Sequence, residues 1–234
     1  DFSGKRVCIV GGGNVAMDAT RTSRRLGASS VTCVYRRRIV DMTALPDEVA
    51  GAQAEGCEIM QLMAPVRIAT EGDKAVGLVV KPQISGSIRD GRPSPVNASV
   101  PETTIPCDIV VVAIGQDIDS KHFAESGADV KRGALVASRA GEVKAGGVKM
   151  DGVFTGGDCY SGPATVIRAI DAGKVAAANI DKYFGFDTQI TCDVEIPVAG
   201  VSKRLHWGRV NMQERTAEER KGDFNLMEKC LTDE

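Results

Sequence analysis

Three small residues and three arginines are the positions in this chain whose types and spacing could do chemistry. Gly11, Gly13 and Ala16 stand in a G-x-G-x-x-A spacing, within the run Gly11, Gly12, Gly13, Asn14, Val15, Ala16. The first glycine permits a tight turn and the second lets backbone approach a pyrophosphate. The small third residue keeps a following helix close to its strand. A pyrophosphate there would meet open amides and the positive end of a helix starting at Asn14. About 20 positions past such a fingerprint an acidic residue bonds a ribose 2′-hydroxyl, whereas arginine suits a 2′-phosphate. Here Tyr35 is followed by Arg36, Arg37 and Arg38, with no acid before Asp41. A guanidinium takes a phosphate through two hydrogen bonds, which favours NADP(H) over NAD(H), with Arg36 and Arg37 as its readers. A ligand-free tight turn and a solvated basic loop are the plainer readings of the same residues.

The elements needed to hold these residues can be read around them. Residues 6–10 form an apolar strand, and residues 14–26 a helix with apolar Val15, Ala19 and Leu26, ended by Gly27. Residues 31–35 form a second strand running into the arginines. A strand before the glycines and a helix after them is the context the fingerprint needs. A turn at Pro46 opens a short helix to Glu55, and residues 58–63 resemble a third strand. Where a βαβ unit would place a crossover helix, residues 65–84 alternate and turn at Glu71, Gly72 and Asp73, the pattern of an antiparallel hairpin. Residues 85–101, rich in Ser, Gly, Pro and Asn, read as an exposed loop extending that hairpin. The continuous apolar run 109–114 predicts a strand buried on both faces of a parallel sheet, with Ala113, Ile114 and Gly115 at its carboxyl edge, where open α/β sheets bind ligands.

Residues 116–152 are polar and irregular, with strand-like pieces near 134–137. A short strand at 153–155 leads to Gly156, Gly157 and Asp158. A long helix over 161–184 follows, with Pro163 in its first turn and Gly185 at its end. Its apolar face, Val166, Ile167, Ile170, Ala177, Ile180 and Phe184, needs a cover. The tail, 186–234, turns densely charged and reads as a docked arm or a connection to a further domain.

The 234 residues leave room for one large domain or two small ones. A net charge of −2 gives no long-range attraction for nucleic acid or membrane, and no apolar run is long enough to span a bilayer. Seven scattered cysteines form no C-x-x-C pair, so no metal site is indicated, and a reducing cytoplasm fits best. Cys8, Cys33 and Cys107 fall in apolar runs as inert core thiols. His122 and His206 lie apart from any nucleophile, and no residue is assigned a catalytic role. Asp18 and Asp158 are the carboxylates closest to the expected ligands.

Taken together, the glycine fingerprint, the YRRR run, M-x-A-x-x-x-E at 42–48, the AIG at 113–115 and the GGD…GPATVIRAIDAGKVAA block resemble the glutamate synthase small-subunit (beta chain) family of FAD- and NADPH-dependent oxidoreductases. The resemblance covers roughly residues 4–185. It implies an α/β fold: a Rossmann-like NADP(H)-binding domain with a β-hairpin insertion over 1–116, then the C-terminal part of an FAD-binding domain over 117–185. It also implies flavin contacts from Gly157, Asp158, Pro163, Ala164 and Thr165. Family members carry an N-terminal FAD fingerprint and an iron–sulfur segment ahead of this region, and nothing precedes Asp1 here. The chain is therefore expected to be a piece of a longer protein. Its expected partners are that N-terminal FAD and iron–sulfur region or an electron-accepting subunit. A homodimer is also considered, with the helix face covered by a second copy or by the tail.

The resemblance implies electron transfer from NADPH via FAD to an acceptor, in which the cofactors carry the chemistry. An isolated NADP(H)-binding module without turnover is the second reading. An interaction domain with a decayed site is the third, and the intact Gly11, Gly13, Ala16 and arginines speak against it.

Overall fold

The computed structural model describes residues 1–89, 91–139, 141–188 and 212–229. The chain divides into two compact units, Asp1–Ile114 with His206–Glu234, and Gly115–Leu205. In the first unit β1 (Arg6–Val10), α1 (Asn14–Arg25) and β2 (Ser30–Tyr35) lead to a single 3₁₀ turn at Ile39–Asp41. Then come α2 (Pro46–Ala54), β3 (Glu58–Gln61), β4 (Met63–Glu71), β5 (Lys74–Arg89), β6 (Arg92–Asn97), β7 (Thr103–Pro106) and β8 (Ile109–Val112). One sheet is parallel throughout, in the order β3-β2-β1-β8. The other is antiparallel, β4-β5-β6 with β7 paired to β5.

The alternation of strand side chains explains why β1 is apolar at every inner position. Val7 and Ile9, with Val31 and Cys33 of β2, pack on Ala16 and Met17 of α1 and on Val49 and Ala52 of α2. Cys8, Val10 and Val34 face the opposite way, onto Leu78, Val80 and Cys107. The antiparallel sheet thus covers the face that a crossover helix would cover, and β1 is buried on both sides.

Three local expectations need correction here. Residues 85–89 and 92–97 are strand rather than loop: β5 runs on to Arg89 and β6 pairs back along it, Ser85 opposite Pro95 and Ile88 opposite Pro93. Prolines survive there because β6 pairs on one side only, where a missing N–H disrupts no second ladder. The apolar run 109–114 does not become a strand buried on both faces. β8 ends at Val112 at the border of its sheet, and Val112 and Ile114 are exposed. On α1 the buried face is Ala16, Met17, Thr20, Arg21 and Ser23, while Val15 is exposed.

The second unit holds α3 (Lys121–Glu125), the pair β9 (Val130–Lys131) and β10 (Ala134–Leu135), and the hairpin β11 (Glu142–Ala145) and β12 (Val148–Phe154). α4 (Asp158–Ser161) and α5 (Val166–Tyr183) follow. The expected short strand at 153–155 is the end of the longer β12. That hairpin is hard to see in sequence because it is held by polar groups, with Lys149 on Glu142 at 2.6 Å, and lacks an apolar alternation. The single long helix at 161–184 is broken: Gly162 takes a φ of 74°, and Thr165 caps α5 by accepting the Arg168 N–H.

The described part of the tail, 212–229, docks on the first unit. Thr216 and Glu219 form a reciprocal capping box that starts α6 (Ala217–Arg220). α6 carries Arg220 to Glu55, 3.1 Å away, where Arg21 and Arg25 already sit at 2.8 and 2.9 Å. Glu55 is 1% exposed and Arg220 6%. Met227 brings its thioether 2.9 Å from Arg21.

Candidate functional site

The strand order reverses between β1 and β8, since β2 and β3 are laid down on one side of β1 and β8 on the other. In an open α/β sheet the crevice at the carboxyl ends of such a strand pair is where ligands bind. The glycine run lies there, between the end of β1 and the start of α1.

Its glycines answer to different constraints. A Cβ on Gly11 would run into the Ala113 carbonyl oxygen, so this glycine lets the ends of β1 and β8 close together. A Cβ on Gly12 would enter the Tyr35 ring. Gly13 is the N-cap of α1, with φ −101° and ψ 177°, and a Cβ there would find only Thr43 Oγ1 at 3.5 Å. Protein packing thus accounts for Gly11 and Gly12, whereas at Gly13 a Cβ would make only an ordinary contact with Thr43 among the described residues. Ala16 is wholly buried against β1, and a Cβ at Gly11 would lie 3.0 Å from its own. No side chain caps α1 and its first turn holds no acid, so its positive end is uncompensated from within the helix.

A second loop braces the glycines, and sequence reasoning missed its function. The N–H groups of Thr43 and Ala44 both donate to the Gly12 carbonyl, at 3.0 and 3.1 Å. Leu45 N–H donates to the Asn14 side-chain oxygen at 2.9 Å, and the Tyr35 hydroxyl donates to the Asp41 carbonyl. The M-x-A-x-x-x-E pattern of 42–48 becomes intelligible: Ala44 is buried beside the glycines, and Glu48 accepts from Arg21 Nη1 at 2.6 Å. Asn14 and Val15 are exposed at the mouth of the turn.

The three arginines differ in what holds them. Arg38 is spent on Asp41, which accepts from its Nε and Nη2 at 2.8 Å each; Arg38 thereby holds the Asp41 carboxyl below its ordinary range. Arg37 is half-buried, its Nε donating to the Pro93 carbonyl at 2.9 Å. Arg36 is exposed and forms no ion pair or hydrogen bond among the described residues. Ala113 donates its N–H to Val10 at the end of β1, Ile114 is 74% exposed, and Gly115 turns with φ 107°.

In the second unit Gly156 packs on α5, where a Cβ would meet the Ala172 carbonyl oxygen at 3.0 Å. Gly157 takes φ 64° with open space around it, and Asp158, Pro163, Ala164 and Thr165 are exposed. Asp18 is exposed on α1, and His122 stands on the surface of α3 near Asp119 and Glu125; His206 lies outside the described residues. Cys8, Cys33, Cys57 and Cys107 are buried, and burial pushes Cys8 up to about 12 and Cys33 and Cys57 up to about 11. At neutral pH these are protonated thiols, inert rather than nucleophilic.

Residues 1–173 match the family model described as Pyridine nucleotide-disulphide oxidoreductase. The chain is 38% identical over 184 residues to the beta subunit of the NADP(+)-dependent formate dehydrogenase of Moorella thermoacetica, covering 78% of this chain and 25% of that protein. It is 35% identical over 193 residues to a putative glutamate synthase (NADPH) small chain of Cereibacter sphaeroides, covering 78% of this chain and 44% of that one. The chain thus spans less than half the length of these curated relatives. Among solved structures it is similar to a thioredoxin reductase of Lactococcus lactis, with a TM-score of 0.62 at 18% identity over 78% of this chain and 54% of that one. That likeness is one of fold.

Proposed function

Since the chain belongs to the pyridine nucleotide-disulphide oxidoreductase family, we propose that it is the NADP(H)-binding part and the returning FAD-domain segment of an NADPH-dependent flavoprotein, passing electrons from NADPH via FAD to an acceptor or partner subunit. Residues 1–116 are the NADP(H)-binding domain of this reading and 117–185 the FAD-domain segment. A cytoplasmic setting belongs to it as well. The observation that carries it is the open side of Gly13, at the start of α1 that no side chain caps, combined with an Arg36 after β2 that has no partner among the described residues.

Each residue then has a task. Gly13 and the first amides of α1 would hold the pyrophosphate, and Arg36 and Arg37 the 2′-phosphate. Ala113, Ile114 and Gly115 would border the nucleotide at the end of β8. Gly157, Asp158, Pro163, Ala164 and Thr165 would hold the flavin, which fits the exposure of the last four and, among the described residues, their lack of side-chain partners other than the Thr165 cap. When bound there, FAD would supply the redox chemistry by taking a hydride from NADPH, and the role of the residues named is to hold and orient the two cofactors. Titrating the purified chain with NADPH and NADH tests the reading. NADPH is expected to bind more tightly, and Arg36→Ala to erase about tenfold or more of that preference. An unchanged preference would remove Arg36 from the site, and absence of saturable binding by either nucleotide would end the proposal.

A second reading, an NADP(H)-binding module without turnover of its own, is favoured by one observation. α5 has no buried residue, and Ile167 on its apolar face is 79% exposed. Visible absorbance separates the two: a flavin retained through purification supports the first, and a colourless chain that still binds NADPH supports the second.

A further inference from the structure

The three arginines after β2 share a sequence context but not a structural one. Arg38 is committed to Asp41 and Arg36 is held by nothing among the described residues. Arg37 alone is held by a distant element: its Nε donates to the carbonyl of Pro93, 56 positions on, at the start of β6. The hairpin of β5 and β6 is fixed in turn. Gln83 N–H donates to the Leu62 carbonyl at 2.8 Å, Leu62 N–H donates to the Arg37 carbonyl at 3.0 Å, and the Gln83 side chain bonds Asn97 at 2.9 Å. Arg37 is therefore gripped at its backbone by Leu62, the residue between β3 and β4 that also binds Gln83 of β5, and at its guanidinium by the hairpin's second strand.

A guanidinium held through Nε keeps its two Nη groups in one plane and free to donate, whereas an unheld arginine must lose several rotors to do the same. We propose that the β5–β6 extension is a specificity element of the nucleotide site: through the Pro93 carbonyl it presets Arg37 for the 2′-phosphate, and it acts on NADPH against NADH through that residue alone. The proposal rests on the NADP(H) reading given above. It gives the hairpin a positioning role, since Pro93 offers a backbone oxygen to the arginine and nothing to the nucleotide.

The test trims the hairpin in the full chain. Residues 86–94 are replaced by Asn-Gly, so that Ser85 and Pro95, already cross-strand partners, flank a two-residue turn and the Gln83–Asn97 bond remains. Dissociation constants for NADPH and NADH are then measured for the native chain, the trimmed chain, Arg37→Ala and the double variant. The expected result is a loss of NADPH affinity of about tenfold on trimming, NADH affinity unchanged, and no further loss when trimming is added to Arg37→Ala.

Arg37→Lys leaves the hairpin untouched and keeps the charge, but cannot serve Pro93 and a phosphate through separate donors. It is expected to lose the same selectivity. Retained selectivity in the trimmed chain, in Arg37→Lys, or a loss shared equally by both nucleotides would overturn the proposal, as would additive losses in the double variant. Failure of the native chain to prefer NADPH would instead strike the reading beneath it, and so is told apart.

Discussion

At the scale of single residues, the glycine run shows how one motif mixes two kinds of constraint. Gly12 is required by Tyr35, whereas at Gly13, the N-cap of α1, a Cβ would clash with nothing among the described residues. Gly12→Ala is therefore expected to destabilise the first unit by about 1–3 kcal/mol, since the ring must shift for the methyl. Gly13→Ala should stay within about 1 kcal/mol of the native chain while weakening NADPH binding. Melting temperatures and NADPH titrations of the two variants check the contrast; if Gly13→Ala binds NADPH normally, the phosphate does not approach there. The G-x-G-x-x-A spacing was enough to place the turn, but it could not divide these roles. That division depends on Tyr35 and Thr43, which approach from other segments. The buried thiols give a second prediction at this scale. Cys8, Cys33, Cys57 and Cys107 are expected to stay unreactive toward a thiol reagent at pH 8 and to react once urea unfolds the chain, with the partly exposed Cys159 reacting in the folded protein.

At the scale of elements, β1, α1, β2 and the turn of the β4–β5 hairpin were legible because each rests on a local signal. These are an apolar run, a glycine stop and a Glu-Gly-Asp turn. The β5–β6 extension was not, because its Ser, Gly and Pro content is that of a loop, and only the one-sided pairing of β6 makes prolines tolerable in it. The edge position of β8 was equally hidden: its apolar sequence matches a central strand, and its place follows from which strands lie beside it. The start of α5 was misread because Pro163 suits a first helical turn. The left-handed Gly162 and the Thr165 cap move that start five residues further on, from 161 to Val166. At the candidate site, sequence located the glycines and the arginines. The bracing loop 41–45 was marked in sequence only by the M-x-A-x-x-x-E pattern, which does not show that its N–H groups reach back to Gly12 and Asn14.

At the scale of the whole molecule, a docked arm was one of two readings of the tail, but its contacts were not visible in sequence, for they join charged residues far apart in the chain. Burial alone would push the Glu55 carboxyl up, but the hydrogen bonds and charges of Arg21 and Arg25 outweigh it and hold Glu55 below its ordinary value. A depressed carboxyl contributes stability that is present above its unfolded-state value, near 4.5, and is lost as pH falls through the folded one. Glu55→Gln, which leaves three arginines without their shared partner, is expected to cost about 3 kcal/mol at pH 7. Its deficit relative to the native chain should shrink as pH drops below about 4.5. Urea melts of both proteins at pH 7, 5 and 4 measure this, and a deficit constant across that range would show that the charge of Glu55 is not what matters.

The same contact has a consequence for how the protein is made. Glu55 emerges from the ribosome early, but Arg220 follows only after all of Gly115–Leu205 has been synthesised, a delay on the order of ten seconds. Until then the nascent first unit carries a buried acid with part of its counter-charge missing and an uncovered patch over α1 and α2. Its final closure therefore waits until the second unit has been synthesised, and that interval is when a chaperone would find it.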